Sequence, residues 1–318
     1  MSSQVKIFSG LGSRYLAEKI ASSFGSPLGE IELTHFKDGE MQVHYKESIR
    51  GADIFIVQST SSPASNIMEL LLLIDAAKRA SANQVVAVIP YYGYARQDRK
   101  ITSRTSLGAK LLANIITVAG ADRVVTMDLH AGQIQGFFDI PLDHLDASAI
   151  FVPYLKNLEL ENLCIASPDM GGSERARHYA QHLKSKLAVI DKERVRPNEV
   201  KSMQVIGDVK GCNVVLTDDL VDTAGTLCKA AEVLLEQGAL SVRAIATHAV
   251  LSGQAYERIE GSKLEELVVT DSIPLRSTTP KLKMLSIAPI FAKAFRKIHN
   301  HESISSLFLI ENMLKEPM

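Results

Sequence analysis

The stretch Ile49-Arg-Gly-Ala-Asp-Ile-Phe-Ile-Val-Gln58 returns later in the chain as Val209-Lys-Gly-Cys-Asn-Val-Val-Leu-Thr-Asp218, almost position for position. The elements around it return as well. An apolar strand at Val5–Gly10 precedes a helix over Ser13–Phe24, just as a strand and loop at Leu163–Gly172 precede a helix over Ser173–Leu183. Phe36-Lys-Asp-Gly-Glu40 follows the first helix where Lys192-Glu-Arg194 follows the second. A helix over Asn66–Ala80 leads to the strand Val85–Ile89, a helix over Thr226–Gln237 leads to Val242–Ala246, and Arg123–Thr126 is echoed by Leu267–Thr270. A repeat of this length marks a duplicated structural unit. Uninterrupted apolar strands that alternate with amphipathic helices imply parallel sheets covered on both faces. The expected fold is α/β, with two tandem, duplicated domains, residues 1–150 and 151–318, joined near Leu145–Glu161. A length of 318 residues suits two domains of about 100–200 residues each.

Charge removes several classes of function. The 35 basic residues are balanced by 36 acidic ones, so no global field favours nucleic acid or an anionic membrane. Any anionic ligand must be held locally. The most apolar helix, Ile67–Ala77, is broken by Glu69 and Asp75 and falls short of the roughly 20 apolar residues that cross a bilayer. Met1–Phe8 does not read as a secretion signal. Cys164, Cys212 and Cys228 lack metal-type spacing and read as reduced residues of a soluble, cytoplasmic protein.

The most informative stretch for chemistry is Val214-Val-Leu-Thr-Asp-Asp-Leu-Val-Asp-Thr-Ala-Gly-Thr226. An apolar strand leads into two carboxylates, a short loop and a helix start. Backbone N–H groups at a helix N-terminus lack intrahelical partners and sit at the positive end of the helix dipole, which favours an anion. Gly225 allows close approach, and Thr223 and Thr226 add hydroxyl donors. Asp218 and Asp219 would repel a phosphate, so they suit sugar hydroxyls or a cation. The first copy has Gln58-Ser-Thr-Ser-Ser-Pro-Ala-Ser65 at the same place. Having no carboxylates there, it leaves the sugar-phosphate site to the second copy.

Three further stretches carry chemistry. Tyr91-Tyr-Gly-Tyr-Ala-Arg-Gln-Asp-Arg-Lys100 follows a strand at the carboxyl edge of a parallel sheet, the usual ligand crevice. There Arg96 and Arg99 would grip polyphosphate bidentately. Met127–Asp143 places Asp128 and His130 two apart after a strand, on one side, with Asp139 and Asp143 expected to return to them. These carboxylates suit magnesium, and His130 suits the metal, a phosphate or a bound water. In Ser167-Pro-Asp-Met-Gly-Gly172, two glycines at a helix start form a second anion nest, and Asp169 adds a carboxylate within reach of a metal–diphosphate.

The loop Asp218–Thr226 resembles the phosphoribosyl-diphosphate loop of the type I phosphoribosyltransferase fold. Asp128-Leu-His-Ala-Gly-Gln-Ile-Gln-Gly-Phe-Phe-Asp139 resembles a signature of the ribose-phosphate diphosphokinases, and the resemblance spans essentially the whole chain. It implies transfer of the diphosphoryl group of MgATP to O1 of ribose 5-phosphate, releasing AMP, in nucleotide, histidine and tryptophan biosynthesis. It implies ATP held by Arg96, Gln97, Arg99 and His130, and ribose 5-phosphate held by Asp218, Asp219, Asp222, Thr223, Ala224, Gly225 and Thr226. It implies catalysis by Lys192, Arg194 and His130, and Mg2+ at Asp128, His130, Asp139, Asp143 and Asp169. Phe36, Asp38 and Glu40 would complete the nucleotide site of a neighbouring subunit, so assembly with like or related chains is expected, in the manner of a hexamer built from dimers. Ile101 and Gly132 depart from the animal enzymes, at positions that bear on phosphate activation and ADP inhibition. Glu302–Phe308 resembles the family's ending, and Ile310–Met318 reads as an added, frayed tail.

Overall fold

The protein is described by a computed structural model covering residues 3–196 and 199–307, the side chains of 192–202 excepted. Ile310–Met318, read as a frayed tail, lies outside the described residues. The chain forms two compact units, which among the described residues are 3–146 with 287–307 and 147–286.

The first unit runs β1 (Val5–Ser9), α1 (Arg14–Phe24), β2 (Ile31–His35), β3 (Met41–Tyr45), β4 (Asp53–Val57), α2 (Ser65–Arg79), β5 (Gln84–Ile89), α3 (Gly108–Ala119), β6 (Arg123–Met127) and β7 (Leu142–Leu145). Five strands pair in the order β1-β4-β5-β6-β7, all parallel. Every residue of β4 is buried, as expected where helices cover both faces of a sheet. The second unit runs α4 (Ser148–Asn157), β8 (Leu163–Ser167), α5 (Ser173–Leu183), β9 (Lys186–Arg196), β10 (Glu199–Ile206), β11 (Asn213–Val221), α6 (Gly225–Glu236), β12 (Ser241–Ala249), α7 (Ala255–Gly261), β13 (Leu267–Thr270) and β14 (Leu282–Leu285). Its sheet order is β10-β9-β8-β11-β12-β13-β14. The series β8-β11-β12-β13-β14 repeats β1-β4-β5-β6-β7 strand for strand, and the paired apolar strand stretches fall on equivalent strands. The duplication is a fact of the fold.

The copies differ in their hairpins. Phe36–Glu40 is the turn between β2 and β3, which pair with each other. Its counterpart is the antiparallel β9–β10 hairpin, which joins the sheet through β8. Lys192 and Arg194 lie on β9, in register with Met203 and Val200 of β10, and their side chains are outside the described residues.

The sequence reading keeps 151–318 together, whereas the last helix, α8 (Ala288–His299), belongs to the first unit. The reason is packing. Phe295 is fully buried and stacks on Phe55 with 4.3 Å between ring centroids. Arg296 Nη2 donates to the carbonyls of Ser23 and Phe24 at 2.9 and 2.8 Å, satisfying the carboxyl end of α1. His299 Nδ1 meets the Asp53 carboxylate at 2.8 Å. Among the described residues no helix is long and apolar enough to cross a membrane. Cys164 and Cys212 are buried, Cys228 is half-buried, and none is in a disulfide. If α8 is integral to the first unit, Phe295→Ala will cost about 3–5 kcal/mol of unfolding free energy. Denaturant unfolding measures this, and a loss below about 1 kcal/mol would show that α8 is dispensable.

Candidate active site

In the first unit, the loops after β5 and β6 carry the nucleotide-side candidates. The tyrosine run is partly an anchor. Tyr92 is buried, donates its hydroxyl to the Ala109 carbonyl at 2.8 Å, and lies edge-on to Phe138. Tyr91 N–H donates to Ser59 Oγ at 3.1 Å and Gly93 N–H to Thr60 Oγ1 at 2.7 Å. The loop thus hangs from β4 and α3, and the residues after it, Arg96, Gln97 and Arg99, are exposed. Gln97 is tied back, its backbone carbonyl receiving Ala109 N–H at 3.3 Å and its side-chain oxygen the Ser106 hydroxyl at 3.2 Å. Arginines on a fixed loop at a sheet's carboxyl edge suit a polyphosphate.

Asp128 follows β6 with φ +39°, outside the strand, so the two-residue alternation expected for Asp128 and His130 ends at Met127. Asp128 is 5% exposed and its N–H donates to the Leu145 carbonyl at 3.1 Å, whereas His130 is exposed. Asp143 does not return to this edge. Asp143 lies beside Val125 in register and pairs with Arg123 Nη1 at 2.7 Å, at the start of β6. Asp139 meets Lys110 Nζ at 3.7 Å, close to where the Pro141 carbonyl receives Val124 N–H. From Arg123 to Asp128 an extended chain rises roughly 16 Å. Asp143 therefore serves the other end of the strand, a correction to its assignment as a metal ligand. At the β2–β3 tip, Phe36 is 54% exposed, and the Asp38 carboxylate holds the turn by accepting Glu40 N–H at 3.0 Å.

The first unit also shows why its own copy of the sugar-phosphate loop is closed. Gln58, where the second unit has Asp218, is fully buried, and a Cβ on Gly10 would come within 2.5 Å of its side chain. Glu69 accepts Leu11 N–H at 2.8 Å and Gln58 Nε2 at 3.0 Å. A side-chain carboxylate already occupies these donors, and burial raises its pKa.

The second unit keeps its loop open. β11 runs on through the acidic pair to Val221. Asp219 is 6% exposed and lies 4.0 Å from Arg175 Nη2, and its N–H donates to Asp218 Oδ1 at 2.9 Å. Burial, then the Asp219 charge, then Asp169, hold the Asp218 carboxyl well above the usual carboxylate range, with Arg175 opposing. Asp169 therefore faces the acidic pair. Its oxygen also accepts Gly172 N–H at 3.1 Å, so the expected glycine nest already holds an internal carboxylate. Asp222 accepts the Ser252 hydroxyl. Ala224 has φ +60° and is the residue before α6, with no side-chain cap, while Thr223 and Thr226 are exposed beside it. Two carboxylates and an uncapped helix start on one loop suit sugar hydroxyls and a phosphate respectively. Sequence reasoning missed Arg175, Ser252 and Arg258. Arg175 lay just after the glycine pair it named, but Ser252 and Arg258 have no local signal.

Among the described residues no group of three or more His, Cys, Asp or Glu side chains is arranged to hold a metal ion. The carboxylates of Asp128 and of Asp218, Asp219 and Asp169 still fit magnesium chemically, because that ion takes oxygen donors and is commonly held by one or two carboxylates together with substrate phosphates and water. Crowded carboxylates that raise one another's pKa fit a cation better than they fit each other.

A central parallel strand ending in an acidic pair, a loop and an uncapped helix makes this a protein of the type I phosphoribosyltransferase fold, with the domain present twice. A family model described as the N-terminal domain of ribose phosphate pyrophosphokinase matches residues 5–120, and another described as the phosphoribosyl synthetase-associated domain matches residues 193–309. A ribose-phosphate pyrophosphokinase of Porphyromonas gingivalis is 54% identical over 303 residues, 95% of this chain and 97% of the relative. One of Campylobacter jejuni is 52% identical over 96% of this chain and 99% of its own length. The chain belongs to the ribose-phosphate pyrophosphokinase family, a family of enzymes. Phosphoribosylpyrophosphate synthetase from Mycobacterium smegmatis, a solved structure, shares 38% identity at a TM-score of 0.89, covering 94% of this chain and all of the other.

The acidic pair predicts a pH dependence. Below about pH 4, Asp218 is neutral folded and unfolded alike. As pH rises above the ordinary aspartate value, the unfolded chain ionises at Asp218 while the folded carboxyl still holds its proton, so stability falls until pH reaches the elevated folded value and then levels off. Asp218→Asn keeps the acceptor for Asp219 N–H and removes the charge. Its melting temperature without ligand should exceed the parent's at pH 7–8 and match it near pH 4, and a lower value at neutral pH would contradict this account.

Proposed function

We propose that this enzyme transfers the diphosphoryl group of MgATP to O1 of ribose 5-phosphate, giving 5-phosphoribosyl 1-diphosphate and AMP. The observation that carries the reading is the open loop of the second unit, where Asp218 and Asp219 stand ahead of the uncapped start of α6. The ribose hydroxyls donate to the acidic pair, and the 5-phosphate sits on the N–H groups at Gly225 and Thr226 with the Thr223 and Thr226 hydroxyls beside it. Arg96, Gln97, Arg99 and His130 hold the nucleotide phosphates. O1 attacks the β-phosphorus as the bond from that phosphorus to the bridging oxygen of AMP breaks, and the O1 proton is lost. Transfer of this kind asks for position and charge neutralisation more than for covalent help. Lys192 and Arg194, on the β9–β10 hairpin, supply positive charge to the transferring group. Magnesium would supply neutralisation of diphosphate charge; Asp128 in the first unit and, separately, Asp169, Asp218 and Asp219 in the second are the carboxylates that would hold such an ion. Work in the cytoplasm fits the reduced cysteines. Assembly with further copies or related chains fits the exposed Phe36, which with Asp38 and Glu40 would complete a neighbour's nucleotide site.

The purified chain should form AMP from ribose 5-phosphate and MgATP in the absence of any free base, and should stop when the divalent cation is chelated. A requirement for a base, with release of diphosphate, would instead make it a phosphoribosyltransferase. Lys192→Ala should lower kcat by about a hundredfold or more while KM moves far less, the pattern of a charge used mainly in the transition state. An unchanged kcat in steady-state assays would remove Lys192 from the reaction.

A further inference from the structure

The open loop is built by a second segment that its own sequence does not reveal. Three successive carbonyl oxygens of the loop are taken by an arm running from the end of β12 through α7. Leu251 N–H donates to the Val221 carbonyl at 3.0 Å, Ser252 N–H to the Asp222 carbonyl at 2.9 Å, and Arg258 Nη1 to the Thr223 carbonyl at 3.0 Å. In a planar trans peptide the next N–H points opposite to the carbonyl. The amides of Asp222, Thr223 and Ala224 are thereby turned away from the arm. The Ser252 hydroxyl fastens the Asp222 carboxylate as well.

Arg258 is the basic member of this arm. A Cβ placed on Gly225 would lie 3.7 Å from Arg258 Nη1, so the guanidinium borders the first residue of α6. The stretch Asp222–Thr226 carries no basic residue of its own. The guanidinium grips the carbonyl just before Ala224, which sits at φ +60°, a conformation an alanine adopts only when its surroundings impose it. Arg258 is exposed and unburdened by packing, so its removal leaves the core intact.

We infer that Arg258 is a positioning residue for the 5-phosphate end of the sugar, holding the Thr223 carbonyl so that the loop amides face the phosphate, and setting the affinity for ribose 5-phosphate while leaving the nucleotide side alone. The inference rests on the reaction proposed above. Arg258→Ala should raise KM for ribose 5-phosphate by about tenfold to a hundredfold, the scale of losing a hydrogen bond to a charged group. KM for MgATP and kcat should change by less than about threefold. Arg258→Lys, which keeps the charge but not the planar fork, should recover part of the loss.

Titration calorimetry of ribose 5-phosphate into the parent and both variants is run beside the kinetics, with melting temperatures as a folding control. A tenfold weaker binding in Arg258→Ala supports the inference even if the parent forms no AMP, which would overturn the reaction and not the role of Arg258. Unchanged sugar-phosphate binding in Arg258→Ala overturns the role. So does a parallel loss in both KM values and kcat, or a failure of lysine to restore anything in a variant that still folds, since each marks a structural effect only.

Discussion

A parallel sheet covered on both faces offers unpaired backbone and open space only at its strand ends, and this restriction governs where the chain does chemistry. β4 is buried along its whole length and β11 nearly so, so neither can present a side chain from its middle. The residues that remain available for ligands follow β5, β6, β8 and β11 at the carboxyl edge. The opposite edge has charged residues too, but they are spent on one another. Arg123 with Asp143 closes the start of β6. Asp128 and Asp143, two carboxylates of one sequence stretch, thus end up with different work, because Asp143 lies back along β6 opposite Val125.

The duplication puts the same scaffold to two uses. At the end of β11 the second unit keeps Asp218 and Asp219 and leaves α6 uncapped. At the end of β4 the first unit has Gln58, whose side chain fills the space above Gly10 and bonds to Glu69. That exchange replaces an electrostatically unmatched cavity with an internally bonded one, and a buried polar group is tolerated once it is hydrogen-bonded. The Gln58 side-chain oxygen remains without a partner among the described residues. The closure is therefore imperfect.

Much of this was legible because strand–helix alternation and a repeated string are local properties. The paired apolar strand stretches fall on equivalent strands, and α5 spans Ser173–Leu183 as its pattern implies. The acidic pair and its loop were legible for the same reason, being contiguous. The failures are non-local. Nothing near Ala288 says that α8 crosses to the other unit, since the information resides in Phe55 and Asp53, far away in sequence. Asp143 was misread because spacing along a chain gives no sense of which end of a strand a following turn returns to. Its partner Arg123, twenty residues earlier, settles that. Tyr91 and Tyr92, in the stretch read for its arginines, are largely anchors, a role that the string alone does not reveal.

The second-unit loop brings several locally unfavourable features together on one short stretch. The molecule as a whole is close to neutral, its backbone is paired by regular sheets, and its exposed ion pairs offset one another. At Asp218, by contrast, burial and two neighbouring carboxylates work against ionisation, with Arg175 in partial opposition. Ala224 adds a left-handed turn, and α6 adds a helix start with no side-chain cap. Each of these is unfavourable taken alone. They become compatible when a ligand brings hydroxyl donors or a cation to the acids and an anion to the helix start, and a sugar phosphate brings the first and last of these in one molecule. The strain is therefore directional, because a ligand with only one of the two ends would relieve only half of it, and that difference is what the site has available for selecting a phosphorylated sugar.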